Sequence, residues 1–198
     1  MNNKHNLVFS FLPFLIFGLG IFIPLIISEI EGPFIYPLHY AARDGNLEKV
    51  KKCISKGIPI DLRDGGKCTA LILASKFGHT DVVTFFIENG ADINAINSRG
   101  DTPLIAAAGV RGERCGIILI NNGADINKTD SLGNTALHEA CATGKLELAK
   151  ALIEHGAELN PINNYGQTPF DMQYNGKATT TNFELRYYLK SIGAKRYK

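Results

Sequence analysis

Residues 101–133, DTPLIAAAGVRGERCGIILINNGADINKTDSLG, are followed without a gap by residues 134–166, NTALHEACATGKLELAKALIEHGAELNPINNYG. The two stretches are equal in length, and they share Thr, Leu and Ala near the start and a Gly-Ala-acidic triplet near the end. Recurrence of two patterns in register at one fixed step is the signature of a repeat architecture. We therefore expect a series of similar structural units.

The same step, which leads from position 102 to position 135, extends in both directions from this pair of stretches. It relates Thr69, Thr102, Thr135 and Thr168, and likewise Gly57, Gly90, Gly123 and Gly156. The predicted repeat domain covers 36–195, with units at about 36–67, 68–100, 101–133, 134–166 and 167–195. The first and last units are degenerate, as terminal units of a stacked array usually are.

The second unit shows what each repeat is expected to form. Thr69 is placed to cap a helix that ends at Gly78, and residues 81–88 predict a second helix with Gly90 just beyond it. Threonine is a favoured N-cap, and glycine adopts the left-handed conformation that often follows a helix. Helices this short are unstable alone in water, so stability must come from stacking neighbouring units.

Two motifs give the repeats a family resemblance. One is Thr102-Pro103-Leu104-Ile105-Ala106-Ala107, which returns as Thr135-Ala136-Leu137-His138-Glu139-Ala140, and the other is Asn89-Gly90-Ala91-Asp92-Ile93-Asn94. The units resemble ankyrin repeats. The resemblance implies an all-α ankyrin-repeat solenoid of helix-turn-helix units with β-turn fingers. It also implies a non-catalytic function, the binding of another protein through the concave face.

Several residues depart from the pattern and predict local irregularities. Lys67 stands where later units have Gly, so we expect a distorted finger there. Arg111 replaces the helix-ending glycine of the third unit. Gly116 lies within that unit's second helix and should weaken it by up to about 1 kcal/mol relative to alanine.

The predicted binding surface consists of residues that vary between units at the ends of the first helices and at the finger tips. Variable residues are not needed to build the repeat and are free to specify a partner. The candidates are Arg43, Asp44, Arg63, Lys76, Phe77, Ile96, Arg99, Val110, Arg111, Thr129, Leu132, Thr143, Ile162 and Tyr165.

The sequence predicts neither an enzyme nor a cofactor or metal site. His39 and His138 share one repeat position, which favours a structural role over that of a ligand or base. The four cysteines contain no C-x-x-C pair, and Cys53, Cys115 and Cys141 are predicted to be buried, with Cys68 more exposed. A net charge of +2 gives no reason to expect nucleic acid as a partner.

The amino-terminal segment 1–30 contains an uncharged apolar stretch, residues 7–27, long enough to span a bilayer as a helix. An N-terminal hydrophobic transmembrane anchor is favoured, with Lys4 before it and the repeats on the translocated side of a single-pass membrane protein. A cleaved signal peptide, giving a secreted or periplasmic protein, remains open, as does a buried helix or a misassigned start.

Two further interpretations of the function stay open beside general protein recognition. The chain could be an accessory or inhibitory subunit tethered beside a membrane enzyme. Alternatively it could be a secreted effector, for example from an intracellular bacterium, that mimics host ankyrin proteins. The abundance of Asn, Ile and Lys fits an AT-rich genome, which is a compositional hint toward the second interpretation.

Overall fold

A computed structural model of the chain describes residues 36–109, 111–172 and 180–196. Within these ranges the regular structure is helical, and extended pairing is limited to one bridge between Thr129 and Thr135. The helices are α1 (Pro37–Arg43), α2 (Leu47–Ser55), α3 (Ala70–Phe77), α4 (Thr80–Glu88), α5 (Pro103–Ala107), α6 (Glu113–Asn121), α7 (Ala136–Thr143), α8 (Leu146–Glu154), α9 (Pro169–Met172) and α10 (Thr180–Ser191). The predicted all-α class is confirmed.

The helices pack in two rows. An inner row is formed by α1, α3, α5, α7 and α9, each in contact with the next, and an outer row by α2, α4, α6, α8 and α10. Within the first four consecutive pairs, the inner helix also contacts the outer helix that follows it. We call the connecting segments 56–69, 89–102, 122–135 and 155–168 the fingers. This is the stack of helix pairs that the repeat predicts.

The core is continuous because equivalent apolar residues of successive pairs pack together. The inner row buries Leu38, Leu71, Leu104 and Leu137 almost completely, and the outer row buries Phe86, Leu119 and Leu152. Each such side chain contributes about 1.5–3 kcal/mol when removed from water. Helices of four to twelve residues owe their stability to this burial between pairs.

The predicted helix boundaries follow from caps. The Thr69, Thr102 and Thr135 hydroxyl oxygens accept hydrogen bonds from the amides three residues later, at 3.4, 3.1 and 3.4 Å. Gly78 and Gly144 end α3 and α7 in the left-handed conformation, with φ of 82° and 72°. Threonine caps and terminal glycines therefore act as the sequence predicts.

The third helix pair shows what the replacement of that glycine does. Its inner helix, α5, has five residues, whereas α3 and α7 have eight. Arg111 occupies the place of Gly78 and Gly144, and a β-carbon disfavours the left-handed conformation that both glycines adopt. The inner helix accordingly ends earlier, with Ala108 as its C-cap.

The expectation of a distorted finger at Lys67 is wrong, because the first finger has the conformation of the others. Its φ is +58°, close to the values of 79° at Gly100 and 77° at Gly133, which hold the equivalent position. Left-handed backbone costs a residue with a β-carbon about 1–2 kcal/mol. The first finger therefore has the same backbone conformation as the other fingers, and Lys67 is locally strained.

Gly116 is a close-packing position. It is buried in α6, and a β-carbon there would lie 2.7 Å from Leu148 Cδ1 and 3.0 Å from Leu148 Cδ2. The equivalent pairs one and two units earlier are Val83 with Cys115, and Val50 with Val82. Val83, Cys115, Val50 and Val82 are all buried, and the largest side chain of the series, that of Leu148, is matched by the smallest residue, Gly116, on the helix before it.

The expected single-pass membrane location is corrected. Over the ranges described, every helix is too short or too polar to cross a membrane. The apolar stretch 7–27, on which the expectation of an anchor or signal peptide depended, lies outside the described residues. The amino-terminal hydrophobic helix is therefore not supported.

Candidate functional site

The fingers are held together by a ladder of side chain to backbone hydrogen bonds. The Asp61 carboxylate accepts from the amide of Asp92 at 3.0 Å, and Asn94 Oδ1 accepts from the amide of Asp125 at 2.8 Å. The next steps join Asn127 Oδ1 to the amide of Glu158 and Asn160 Oδ1 to that of Lys195, at 2.9 and 2.7 Å. These Asp and Asn side chains thus link neighbouring fingers, and the last of them links the fourth finger to the segment after α10.

A second set of Asx side chains shapes the tip of each finger. Asp64, Asn97, Asp130 and Asn163 occupy one repeat position, and the Oδ1 atom of each accepts from the amides two and four residues later. Adjacent tips are joined by backbone hydrogen bonds, such as that from the Ser131 amide to the Arg99 carbonyl oxygen at 2.8 Å. This role was not predicted from the sequence, although the recurrence of Asp or Asn at the same place in successive units is a signal for it.

The two motif histidines are structural, as predicted. His39 Nε2 donates to the carbonyl oxygen of Cys68 at 2.9 Å, and His138 Nε2 donates to that of Gln167 at 3.1 Å. His138 Nδ1 accepts from the amide of Thr135, and burial lowers the pKa of His138 below its ordinary 6.5. Each histidine therefore ties an inner helix to the finger that follows.

The inner helices and the fingers enclose an open cleft of about 650 Å³. Its floor is apolar and is formed by inner-helix residues, and its walls carry charged and polar residues of the fingers and helix ends. The floor residues are Ile72, Leu73, Phe77, Ile105 and Ala106, and the polar lining includes Lys76, Asn97, Arg99, Asp101, Arg111, Asp130, Glu139 and Thr143. We call this feature the cleft.

The charges of the cleft are unevenly paired. Asp101 accepts from Arg99 Nη2 at 2.6 Å and from Asn97 Nδ2 at 2.9 Å, so its charge is compensated. Asp130 Oδ1 accepts from two backbone amides of its own finger tip. Burial raises the pKa of the half-buried Glu139 carboxyl, and the charges of Asp130 and Asp101 raise it further against the opposing effect of Arg99.

Six of the predicted binding residues lie together in the cleft. They are Lys76, Phe77, Arg99, Arg111, Leu132 and Thr143. Arg99 pairs with Asp101 and keeps about two thirds of its side chain exposed. The Thr143 hydroxyl donates to the carbonyl oxygen of Ala108 at 2.7 Å, so that residue also joins α7 to the preceding inner helix.

The remaining predicted residues lie elsewhere. Ile96, Ile162 and Tyr165 are exposed at the finger tips, with relative exposures of 43%, 52% and 67%, and Thr129 is exposed on the third finger. Arg63 Nη1 donates to the Ile96 carbonyl oxygen at 2.6 Å and so links two fingers. Arg43 and Asp44 form an exposed pair at the end of α1, and Val110 lies outside the described residues.

The sequence analysis missed Glu139, although a signal for it was present. Tyr40, Leu73, Ala106 and Glu139 occupy the variable position of the first motif. Leu73, Ala106 and Glu139 all line the cleft. Variation within a motif that otherwise recurs marks a residue that the fold does not fix.

The cysteines behave as the sequence predicts. Cys53, Cys115 and Cys141 are buried and Cys68 is half-buried at the edge of the cleft, all four as free thiols. Burial raises the pKa of Cys115 to about 11 and raises that of Cys141 as well. Thiols in such surroundings are poor nucleophiles. Over the described residues, acidic, His and Cys side chains form no group of three that could hold a metal ion.

Comparisons with known proteins agree with this architecture. The family model described as ankyrin repeats, in three copies, matches residues 38–130 and 112–173, more than half of the 198 residues. Human protein phosphatase 1 regulatory subunit 27 is 41% identical over 77 residues, which cover 39% of this chain and 50% of that protein.

Other relatives match over shorter shares of their length. Transient receptor potential cation channel subfamily A member 1 of Drosophila melanogaster is 33% identical over 87 residues, covering 41% of this chain and 7% of the channel subunit. An ankyrin repeat-containing protein of Schizosaccharomyces pombe is 36% identical over 64 residues, covering 32% of this chain and 31% of that protein. The matched segments thus span at most half of these three relatives.

Proposed function

This chain belongs to the ankyrin-repeat family, and we propose that it binds a partner protein through the cleft, without catalysing a reaction. The observation that carries the proposal is the composition of the cleft: most of the side chains that line its floor and walls change from one repeat to the next. Most residues that recur are used elsewhere, in caps, ladders and core, and the recurring Asn97 and Asp130 shape the finger tips as well as lining the cleft. What varies is therefore concentrated where a partner has room to bind.

The physical character of the cleft suits protein recognition. Leu132, 43% exposed, and the half-buried Phe77 offer apolar area beside the charged side chains of Arg99 and Arg111. Interfaces commonly combine apolar or aromatic anchors in a pocket with a polar rim. A cleft of about 650 Å³ is large enough to take several side chains of a partner.

The exposed finger tips extend this proposed surface. Ile96, Ile162 and Tyr165 stand in a region whose backbone is fixed by the hydrogen-bond ladders. A rigid support lowers the entropic cost of binding, because few additional groups have to be ordered. We include Thr129 of the third finger in the same surface.

A site-resolved cross-linking experiment tests the proposal. A photoreactive amino acid is introduced into the full chain at Phe77 or Tyr165 on the proposed surface, and at Lys51 or Glu88, both exposed on the outer row, as matched controls. We expect a defined protein adduct from the first two positions and none from the controls. Adducts formed equally from the outer row, or only there, would show that the surface is wrongly assigned.

A second candidate function is that of a regulatory subunit of an enzyme. The relationship to a phosphatase regulatory subunit, 41% identical over 77 residues, favours it. In that case the cross-linked partner is an enzyme, and adding the full chain at equal concentration changes its rate. The Phe77→Asp variant should leave the rate unchanged, because a buried charge on the cleft floor opposes binding. A partner without catalytic activity would exclude this candidate.

A further inference from the structure

Glu139 is the residue of the cleft whose presence the fold does not explain. Its side chain is half-buried in the first half of α7, yet its carboxylate takes part in no hydrogen bond or ion pair with the described residues. The equivalent residues are Tyr40, Leu73 and Ala106, none of which is charged. A half-buried carboxylate that no described residue pairs leaves a free acceptor on the cleft lining, where a cationic group of a partner can bind.

The neighbouring charges leave this end of the cleft with an excess of negative charge. Asp101, Asp130 and Glu139 are opposed by Arg99, which forms its ion pair with Asp101. Around Glu139, three carboxylates and one guanidinium give a formal charge of −2, whereas the other two cations of the lining are Lys76 and Arg111, the latter with its backbone against Gly78 at the end of α3. A partner group that is complementary to the surroundings of Glu139 carries positive charge.

The α3 end of the cleft has the opposite character. Lys76 lies in the last turn of α3 and is exposed, and it forms no ion pair with the residues described. Helix α5 lies between α3 and α7, in contact with both. Two interhelical spacings of about 8–10 Å each therefore separate the cationic side from Glu139. An extended chain crosses that distance with about five or six residues.

We propose that the cleft binds an extended segment of the partner protein, about six residues long, that places a lysine or arginine against Glu139 and an acidic side chain near Lys76. This inference rests on the proposed function and specifies its partner. Between the two charged ends, apolar side chains of the segment contact Ile105 and Ala106 on the floor. Glu139 then acquires the charge-assisted hydrogen bond that the described residues do not supply.

Peptide selection tests the inference. A random peptide library long enough to cross the three inner helices is selected on the immobilised full chain, as wild type and as Glu139→Gln, Glu139→Lys and Lys76→Glu. We expect wild type to enrich peptides with a lysine or arginine several residues from an acidic residue. Glu139→Gln should lose the basic preference, Glu139→Lys should replace it by an acidic one, and Lys76→Glu should alter the acidic preference alone.

Affinity measurements with one selected peptide show how much Glu139 contributes to binding, and a variant outside the cleft serves as the control. Glu139→Gln should weaken binding about tenfold, the usual effect of losing one charge-assisted hydrogen bond. Glu88→Gln, on the outer row, should leave the affinity unchanged. Denaturation of each variant in urea separates loss of binding from loss of folding, and Glu139→Gln should be no less stable than wild type because it removes an unpaired half-buried charge.

Three results would overturn the inference. They are a wild-type chain that selects no peptide, peptides without an excess of basic residues, and a Glu139→Gln variant that binds the selected peptide as tightly as wild type. Cross-linking from Phe77 that persists beside any of these results would leave the proposed function standing. Cross-linking that maps to the outer row would instead overturn the proposed function itself.

Discussion

Adding a methyl group at Gly116 sets two effects of opposite sign against each other. Alanine in a helix interior is favoured over glycine by about 1 kcal/mol, so Gly116→Ala should stabilise α6 considered alone. In the folded chain, however, the new β-carbon would lie 2.7 and 3.0 Å from the two methyl carbons of Leu148. Leu148 is 0% exposed and is therefore confined on all sides.

The packing effect should outweigh the helix propensity. Forcing an additional carbon into a filled interior costs about 1–3 kcal/mol, since side chains and backbone have to shift. Set against a gain of about 1 kcal/mol, Gly116→Ala should lower the free energy of unfolding by about 1 kcal/mol. With Leu148→Ala already present, the colliding methyl groups are gone, and the same substitution should raise the free energy of unfolding by about 1 kcal/mol.

A double-mutant cycle on these two positions gives the measurement. Unfolding in urea is followed by circular dichroism for wild type, both single variants and the double variant, with Leu148→Ala alone costing about 2–5 kcal/mol. The expected interaction energy between the two positions is about 2 kcal/mol. If Gly116→Ala has the same effect in both backgrounds, close packing against Leu148 is not what retains the glycine.

Three other substitutions address the fingers and the inner row. Lys67→Gly should raise the free energy of unfolding by about 1 kcal/mol by relieving left-handed backbone at φ +58°, measured by urea denaturation. Asn127→Ala should lower it by about 1 kcal/mol and speed hydrogen exchange at the amide of Glu158, which loses its acceptor. His138→Ile should flatten the pH dependence of the free energy of unfolding. Burial lowers the pKa of His138 in the folded wild type, so the unfolded chain gains a proton first as the pH falls through about 6.5. The wild type is therefore more stable above that pH than below it, and the variant lacks this difference.

Two of these substitutions have an internal comparison. For Asn127, the matched change is Asn122→Ala, because Asn122 Nδ2 donates to a carbonyl oxygen within its own helix and should leave exchange at the next finger unchanged. Isoleucine at His138 copies Ile72 and Ile105, which the same position of two other units accommodates. A wild-type chain whose stability is constant from pH 7.5 to 5 would contradict the histidine argument, and a Lys67→Gly variant less stable than wild type would contradict the strain argument.

The fold was predictable because the same helix caps and turns recur in several units of the sequence. Thr69 and Gly78 each recur at equivalent positions, so one cap or one turn could be inferred from its counterparts. What the repeat could not predict is where units compensate for one another. From the sequence, Gly116 was expected only to destabilise its helix. The structure shows that it makes room for Leu148 on the next outer helix.

The candidate site was predictable only in part. The rule that variable residues face the partner selected Lys76 and Phe77, which lie in the cleft. It also selected Arg63, whose guanidinium is used to join two fingers. Glu139 escaped because it lies inside a motif that was treated as fixed, and its lack of a partner among the described residues is a three-dimensional property that spacing cannot reveal.

The junctions between neighbouring fingers have nearly the same chemistry along the chain, since an Asp or Asn oxygen accepts one amide hydrogen at each of them. Duplication or deletion of one complete unit in the gene would therefore bring together ends that already match. Such a change would lengthen or shorten the cleft by a whole helix without demanding new interactions at the seam. Evolution could in this way alter how long a target the protein accommodates separately from which side chains it prefers.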